Sequence, residues 1–282
     1  MSPAKDSLLR GLRFLRRDPR VLPSLVRGKV RKLGTLPPSP HEAEIDGVRF
    51  SFDFALSPVV SMMYRGTYQP EVVTAIRRWL SPGDWMVDVG ANIGYMSAIG
   101  LGVVGRSGGV IAFEPAPPYL ERLERLARLN PERRFVIRGS AVGETSGMAT
   151  LYLSTSGNPG ANSLIPTAVP QRDAGIRVPI MRLDHDDFLL ERGAAVVKID
   201  VEGFELSVLR SMEGLFSSTI FRPLIICEVT PDLYPDIEST LYELDAWLSE
   251  HRYRATDILD QRHRVDVLAL SRQQDLLFVP TD

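Results

Sequence analysis

The 282-residue chain contains one cysteine, Cys227, along with four histidines and three tryptophans. A single cysteine excludes an intramolecular disulfide and any cysteine-rich metal cluster. It fits a reducing compartment, so a cytoplasmic location is expected. No run approaches the roughly 18 uninterrupted apolar residues of a membrane-spanning helix. Residues 1–20 are broken by charge every few positions and carry no apolar signal core. Neither sign of charge dominates: 33 Lys and Arg stand against 35 Asp and Glu, a formal net charge of −2. That excludes the chain-wide basic surface of a nucleic-acid binder. There is no internal repeat, no low-complexity tract and no Gly-x-Ser-x-Gly nucleophile elbow.

The charge that is present is unevenly placed. Lys5, Arg10, Arg13, Arg16, Arg17, Arg20, Arg27, Lys29, Arg31 and Lys32 fall before Pro38, with only Asp6 and Asp18 to oppose them. Leu8, Leu9, Leu12 and Leu15 recur among them at roughly helical spacing. Residues 1–38 therefore read either as a solvated tail or as a short basic helix that meets an anionic membrane surface or an acidic partner. Pro37-Pro38-Ser39-Pro40 marks a break. Residues 39–80 read as a strand-and-helix lead-in and cap, and residues 81–282 as the main α/β domain.

Within the lead-in, Val48–Phe52 alternates as an exposed-edge strand and Pro70–Leu80 is helical in pattern. Beyond Pro82-Gly83, short apolar runs alternate with helical stretches. Strands are expected at Trp85–Val89, at Gly109–Phe113, from Phe135 toward Val142, at Ala195–Asp200 and at Leu224–Val229. Helices are expected at Gly94–Leu101, Pro118–Leu129, Glu205–Phe216 and Ile237–Glu250. Thr150–Leu153 and Arg177–Ile180 suggest an added hairpin. Tyr253–Leu259 and Leu276–Val279 suggest a terminal one. This order predicts a mostly parallel sheet with helices on both faces. In such sheets ligands bind outside the carboxyl ends of the strands. Every polar feature below sits at a strand end.

The first feature is Asp88-Val89-Gly90-Ala91-Asn92-Ile93-Gly94. Glycines there allow a tight strand-to-helix turn and close approach of a ligand. The Gly-x-x-x-Gly spacing departs from the dinucleotide fingerprint and lacks the lysine of a phosphate loop. Asp88 suits a ligand with a positive amino group. The second feature, Glu114, ends the next strand, where a carboxylate can bind both hydroxyls of a ribose. It separates nucleoside binders from others, but not an S-adenosylmethionine (SAM) enzyme from an NAD enzyme. The third is Lys198-Ile199-Asp200-Val201-Glu202-Gly203-Phe204-Glu205. Its charges either neutralise one another at the strand end or place Asp200 or Glu202 beside a reacting hydroxyl. The fourth, Glu228, ends a further strand; with Asp200 it could hold a hard cation such as Mg²⁺. His185 reads as a base or as part of a helix-cap cluster. His41, His251 and His263 read as surface residues, and Cys227 as a small buried hydrophobe.

The runs Ser81–Tyr95, Phe113-Glu114-Pro115, Ala141-Val142-Gly143 and Val197–Leu206 together resemble the FkbM family of SAM-dependent methyltransferases, over roughly residues 64–229. The resemblance implies a Rossmann-like class I methyltransferase fold, a seven-stranded sheet with an antiparallel last strand, and SAM as cofactor. It implies O-methylation of a sugar, glycan or polyketide-type product. Asp88, Gly90, Ala91, Asn92 and Gly94 would hold the methionine part, Glu114 and Pro115 the ribose, and Ser140 and Ala141 the adenine edge. Asp200, Glu202 and Glu228 would face the acceptor. Gln69 departs from the family, whose members commonly carry an acid there. Ser57–Gln69 and Ser154–Gly175 are the expected substrate-facing segments. Three alternatives stand beside it: an N-methyltransferase acting on a small molecule, a non-catalytic SAM-binding protein and an NAD-dependent oxidoreductase. Nucleic acid is not expected as a partner, because the Asn/Asp-Pro-Pro-Tyr/Phe signature of base N-methylation is absent.

Overall fold

The computed structural model describes residues 35–155, 160–169, 171–217 and 222–281. The basic helix anticipated before Pro38 lies almost wholly outside them. Strands β1 (His41–Ile45) and β2 (Val48–Phe52) form a hairpin, followed by helices α1 (Pro58–Arg65) and α2 (Pro70–Trp79). The α/β body then runs β3 (Trp85–Val89), α3 (Tyr95–Val104), β4 (Gly109–Phe113), α4 (Pro117–Leu129) and β5 (Arg134–Arg138). Next come the small strands β6 (Ala141–Val142), β7 (Gly147–Leu151) and β8 (Ile176–Met181). The chain ends α5 (Asp187–Arg192), β9 (Val196–Ile199), α6 (Glu205–Arg210), β10 (Leu224–Val229), α7 (Ile237–Glu250), β11 (Tyr253–Asp257) and β12 (Gln274–Pro280).

Seven strands form one sheet in the order β11-β12-β10-β9-β3-β4-β5. Strand β12 runs antiparallel to both its neighbours, and the other pairs are parallel. The apolar runs alternate across this sheet, as a pleat buried on both faces requires. Val87, Ile111, Val197, Ile225 and Phe278 point into a core covered by α5, α6 and α7. Met86, Val110, Val196, Ile226 and Leu277 point into the core beneath α1, α2, α3 and the β1–β2 hairpin. No helix among the described residues is long and apolar enough to cross a membrane.

Strand β2 is an edge strand as expected: it pairs only with β1, and Val48, Phe50 and Phe52 alternate inward. Three expectations change. Ala141-Val142 does not extend β5; it pairs in parallel with β8 in a separate three-stranded sheet, β6-β8-β7. Helix α6 stops at Arg210 rather than Phe216, with Ser211 at its C-cap and a separate 3₁₀ turn at Glu213–Ser217. The polar stretch Ser154–Gly175, which reads in sequence as a long loop, carries local structure: Tyr152 and Ser163 exchange backbone bonds and Pro166–Ala168 is a 3₁₀ turn.

The chain winds outward from β3 to β5, then returns to add β9 and β10 on the other side. The point where this order reverses lies between β3 and β9. A crevice outside the carboxyl ends follows from that topology.

Candidate active site

A cavity of about 460 Å³ occupies that crevice. Its floor is the turn after β3. Gly90 has φ of +76°, and a Cβ there would lie 1.9 Å from the carbonyl oxygen of Asp200. Only glycine lets the turn nest against the end of β9, so the first and third sequence features become one wall. Gly90, Ala91 and Asn92 line the cavity, as do Glu114, Pro115, Ser140 and Ala141. Glu114 is buried and accepts from the backbone N–H groups of Asn92 and Ala116, both at 2.8 Å. Burial pushes its pKa up to about 7 against the pull of those two bonds. The Ser140 hydroxyl is buried in the wall with no hydrogen-bond partner among the described residues. A buried orphan hydroxyl facing a cavity fits a polar ligand such as an adenosyl group.

Asp88 and Gly94, expected at the ligand, sit behind it. Asp88 is fully buried in β3 and accepts from the Ser97 hydroxyl at 2.6 Å. Its other oxygen faces the Lys198 ammonium at 3.4 Å. Gly94 packs beneath Leu123 and Leu126 of α4. The aspartate at this strand end serves the interior, because β3 and β9 place it beside Lys198 in register.

The far end of the cavity is acidic. Asp200, Glu202 and Glu228 converge, each with an oxygen within 4.8 Å of the others. Asp200 is paired with Lys198 at 3.2 Å. Burial disfavours the charge on Lys198, but Asp200 and Asp88 outweigh it and hold its pKa above the usual value. Burial, then the charges of Asp200 and Glu205, push Glu202 up to about 8. Burial, then Asp200, Asp275 and Glu202, hold Glu228 well above the carboxylate range. Continued strand alternation would put Lys198, Asp200 and Glu202 on one face, but the strand does not continue that far. Strand β9 ends at Ile199, and Glu202 takes a left-handed φ of +50°.

Tyr68, Gln69, Asn162 and Ser163 line the cavity from the two segments expected to face the substrate, whereas Tyr119 and Gln273 carried no sequence signal. Gln273, just before β12, donates to Oε1 of Glu228, and Nε2 of Gln69 lies 3.4 Å from the same oxygen. An acid at position 69 would add a further carboxyl against this cluster, to which Asp275 already contributes. Tyr68, Tyr119, Asn162 and Ser163 complete the wall. His185 is outside it, exposed and bonded to Ser146 at 3.1 Å. Cys227 is buried.

The sheet order, the single antiparallel strand and a cavity at the switch point define the class I methyltransferase fold. The chain belongs to the FkbM methyltransferase family: the model of the methyltransferase FkbM domain matches residues 88–255. Among solved structures it is similar to the FkbM methyltransferase of Methylobacillus flagellatus KT at 19% identity and a TM-score of 0.45. That match covers 78% of this chain and 54% of that one, so the chain spans about half the length of that relative. Fibrillarin from Aeropyrum pernix, solved with natively bound SAM, matches at 11% identity over 87% of this chain and 84% of its own, with a TM-score of 0.41. A SAM-dependent O-methyltransferase from Thermotoga maritima matches at 13% identity over 86% and 78%, with a TM-score of 0.41. No curated protein matches.

Proposed function

We propose that the protein transfers the methyl group of SAM to a hydroxyl oxygen of a sugar, glycan or polyketide-type acceptor. The observation that carries this is one cavity with two chemistries: a glycine turn and Glu114 at one end, three carboxyl groups at the other. Bound SAM supplies an electrophilic sulfonium methyl, so the protein's task is alignment and exclusion of water. Residues 90–92 form the floor for the amino-acid arm. Glu114 and Pro115 hold the ribose, and Ser140 and Ala141 edge the adenine.

Asp200, fixed by Lys198, accepts the proton of the acceptor hydroxyl. Burial and the charge of Asp200 push Glu202 up to about 8, so at neutral pH its protonated carboxyl donates a hydrogen bond to a neighbouring acceptor oxygen. Burial, then Asp200 and Asp275, hold Glu228 above the usual carboxylate range. Acids whose charge is disfavoured in this way suit a neutral hydroxylated acceptor. Asp200 and Glu228, joined by Glu202, would offer the hard oxygen ligands that Mg²⁺ takes once ionised, so a cation binding there would release the protons that burial favours on Glu202 and Glu228. A cation there would acidify the hydroxyl. Activity that survives chelation would remove the cation from the proposal.

Calorimetric titration with SAM and S-adenosylhomocysteine tests the cofactor. Transfer of labelled methyl from SAM to a panel of sugars and polyketide alcohols, paired with their amine analogues, tests the acceptor. Absence of binding to either nucleoside would sink the proposal. Transfer to amines alone would reassign the acceptor atom to nitrogen.

A further inference from the structure

The two ends of the cavity are touched by one stretch of chain, residues 160–169. At the Glu114 end, the Asn162 side chain lies within hydrogen-bonding reach of the hydroxyl of Tyr119, a group close enough to feel the charge of Glu114. Asn162 is itself held, because its Oδ1 accepts from the backbone N–H of Ser154 at 2.9 Å. Asn162 and Tyr119 both line the cavity.

One residue further on, at the acidic end, Ser163 is 2% exposed. Its hydroxyl donates to the carbonyl oxygen of Glu202 at 2.7 Å and accepts from the backbone N–H of Ile165 at 3.0 Å. The same peptide unit is gripped from its other side: the Gly203 N–H donates to Glu205 Oε1 at 2.8 Å. Glu202 and Gly203 are both left-handed, with φ of +50° and +95°. A non-glycine residue in that region stays there only when its surroundings hold it. Ser163 and Glu205 are the two holds.

We propose that residues 160–169 form a strap serving both subsites, with Asn162 a residue of the cofactor site and Ser163 a positioning residue for Glu202. This rests on the cofactor assignment made above. Adenosine bound near Glu114 and Tyr119 secures Asn162. Asn162 carries Ser163 with it, and Ser163 keeps the Glu202 carboxyl in the acceptor cluster.

Hydrogen exchange measured by mass spectrometry on the full chain, with and without S-adenosylhomocysteine, tests this alongside calorimetry. Without ligand, Ser163→Ala should speed exchange in residues 200–206 about tenfold, and Ser163→Thr, which restores a hydroxyl, should reverse this. With ligand, Ser163→Ala should bind S-adenosylhomocysteine within twofold of wild type yet lose most of the ligand-induced slowing in 200–206. Asn162→Ala should weaken binding about fivefold, the loss of one hydrogen-bonding group. Unchanged exchange in ligand-free Ser163→Ala overturns the positioning role. Wild-type affinity in Asn162→Ala overturns the cofactor role. A wild-type protein that binds no S-adenosylhomocysteine fails the cofactor assignment instead, while the ligand-free comparison still decides the role of Ser163.

Discussion

Asp200 and Glu228 both stand at strand ends and both line the acidic end of the cavity, but their surroundings differ. Asp200 has an ammonium at 3.2 Å, whereas Glu228 has other acids and two side-chain amides. Asp200→Asn should therefore lower kcat by about 10²- to 10⁴-fold, the usual worth of a general base, with SAM affinity within twofold. A loss confined to SAM affinity would remove Asp200 from the chemistry. Gly90 has a different kind of importance. Gly90→Ala would drive a Cβ into the Asp200 carbonyl, a backbone atom that has nowhere to go. The variant should melt lower and bind S-adenosylhomocysteine at least tenfold more weakly, read by thermal unfolding and calorimetry. The importance of both residues was legible from the Asp88–Gly94 and Lys198–Glu205 patterns. The clamp on Glu228 was not, because Gln273 is 45 residues away in the chain and a lone glutamine has no spacing to betray it.

At the scale of the element, the turn from β9 to α6 is tied down by buried polar groups. Lys198 bridges β3 and the turn through Asp88 and Asp200. Lys198→Met would leave buried acids uncompensated, and such broken pairs cost about 3–5 kcal/mol. The double variant Asp88→Asn with Lys198→Met should recover part of that loss in denaturant unfolding; strict additivity would mean the pair is not coupled. Glu205, fully buried, accepts from Gly203 N–H and the Thr230 hydroxyl, and burial pushes its pKa up to about 7. Its folded pKa lies above the usual glutamate value of 4.5, so the folded state holds the proton more tightly. Its contribution is complete below about pH 4.5 and is lost as pH rises toward 7. Glu205→Gln keeps an acceptor oxygen and removes the titration. It should flatten the fall in stability between pH 5 and 8, a difference on the order of a few kcal/mol. A parallel pH profile for variant and wild type would refute this assignment.

For the whole molecule, the sheet brings ligand-facing groups from β3, β4, β9 and β10 to one edge, and the cap helices α1 and α2 close over it with Met63, Tyr68 and Gln69. A ligand that binds only the folded chain stabilises it by mass action. S-adenosylhomocysteine at a hundred times its Kd should add about 2.7 kcal/mol, seen as a rise in Tm. Glu114→Gln should shrink that rise at equal concentration. An undiminished rise would place the ribose elsewhere.

Local pattern sufficed for what depends on local physics. The period-two apolar runs, the helical stretches between them and the glycine turn after β3 specified a doubly covered, mostly parallel sheet. The Lys-Ile-Asp-Val-Glu-Gly run identified the family. What tertiary structure alone decided is which way the charged groups face. Asp88 and Asp200 look alike in sequence, each an acid at a strand end near glycine. Register beside Lys198 turned the first inward, where water cannot reach it, and the early end of β9 left the second facing the cavity. The strap at 160–169 was also undecidable from sequence, since its hold on Glu202 is a contact across 39 residues between a serine hydroxyl and a backbone carbonyl.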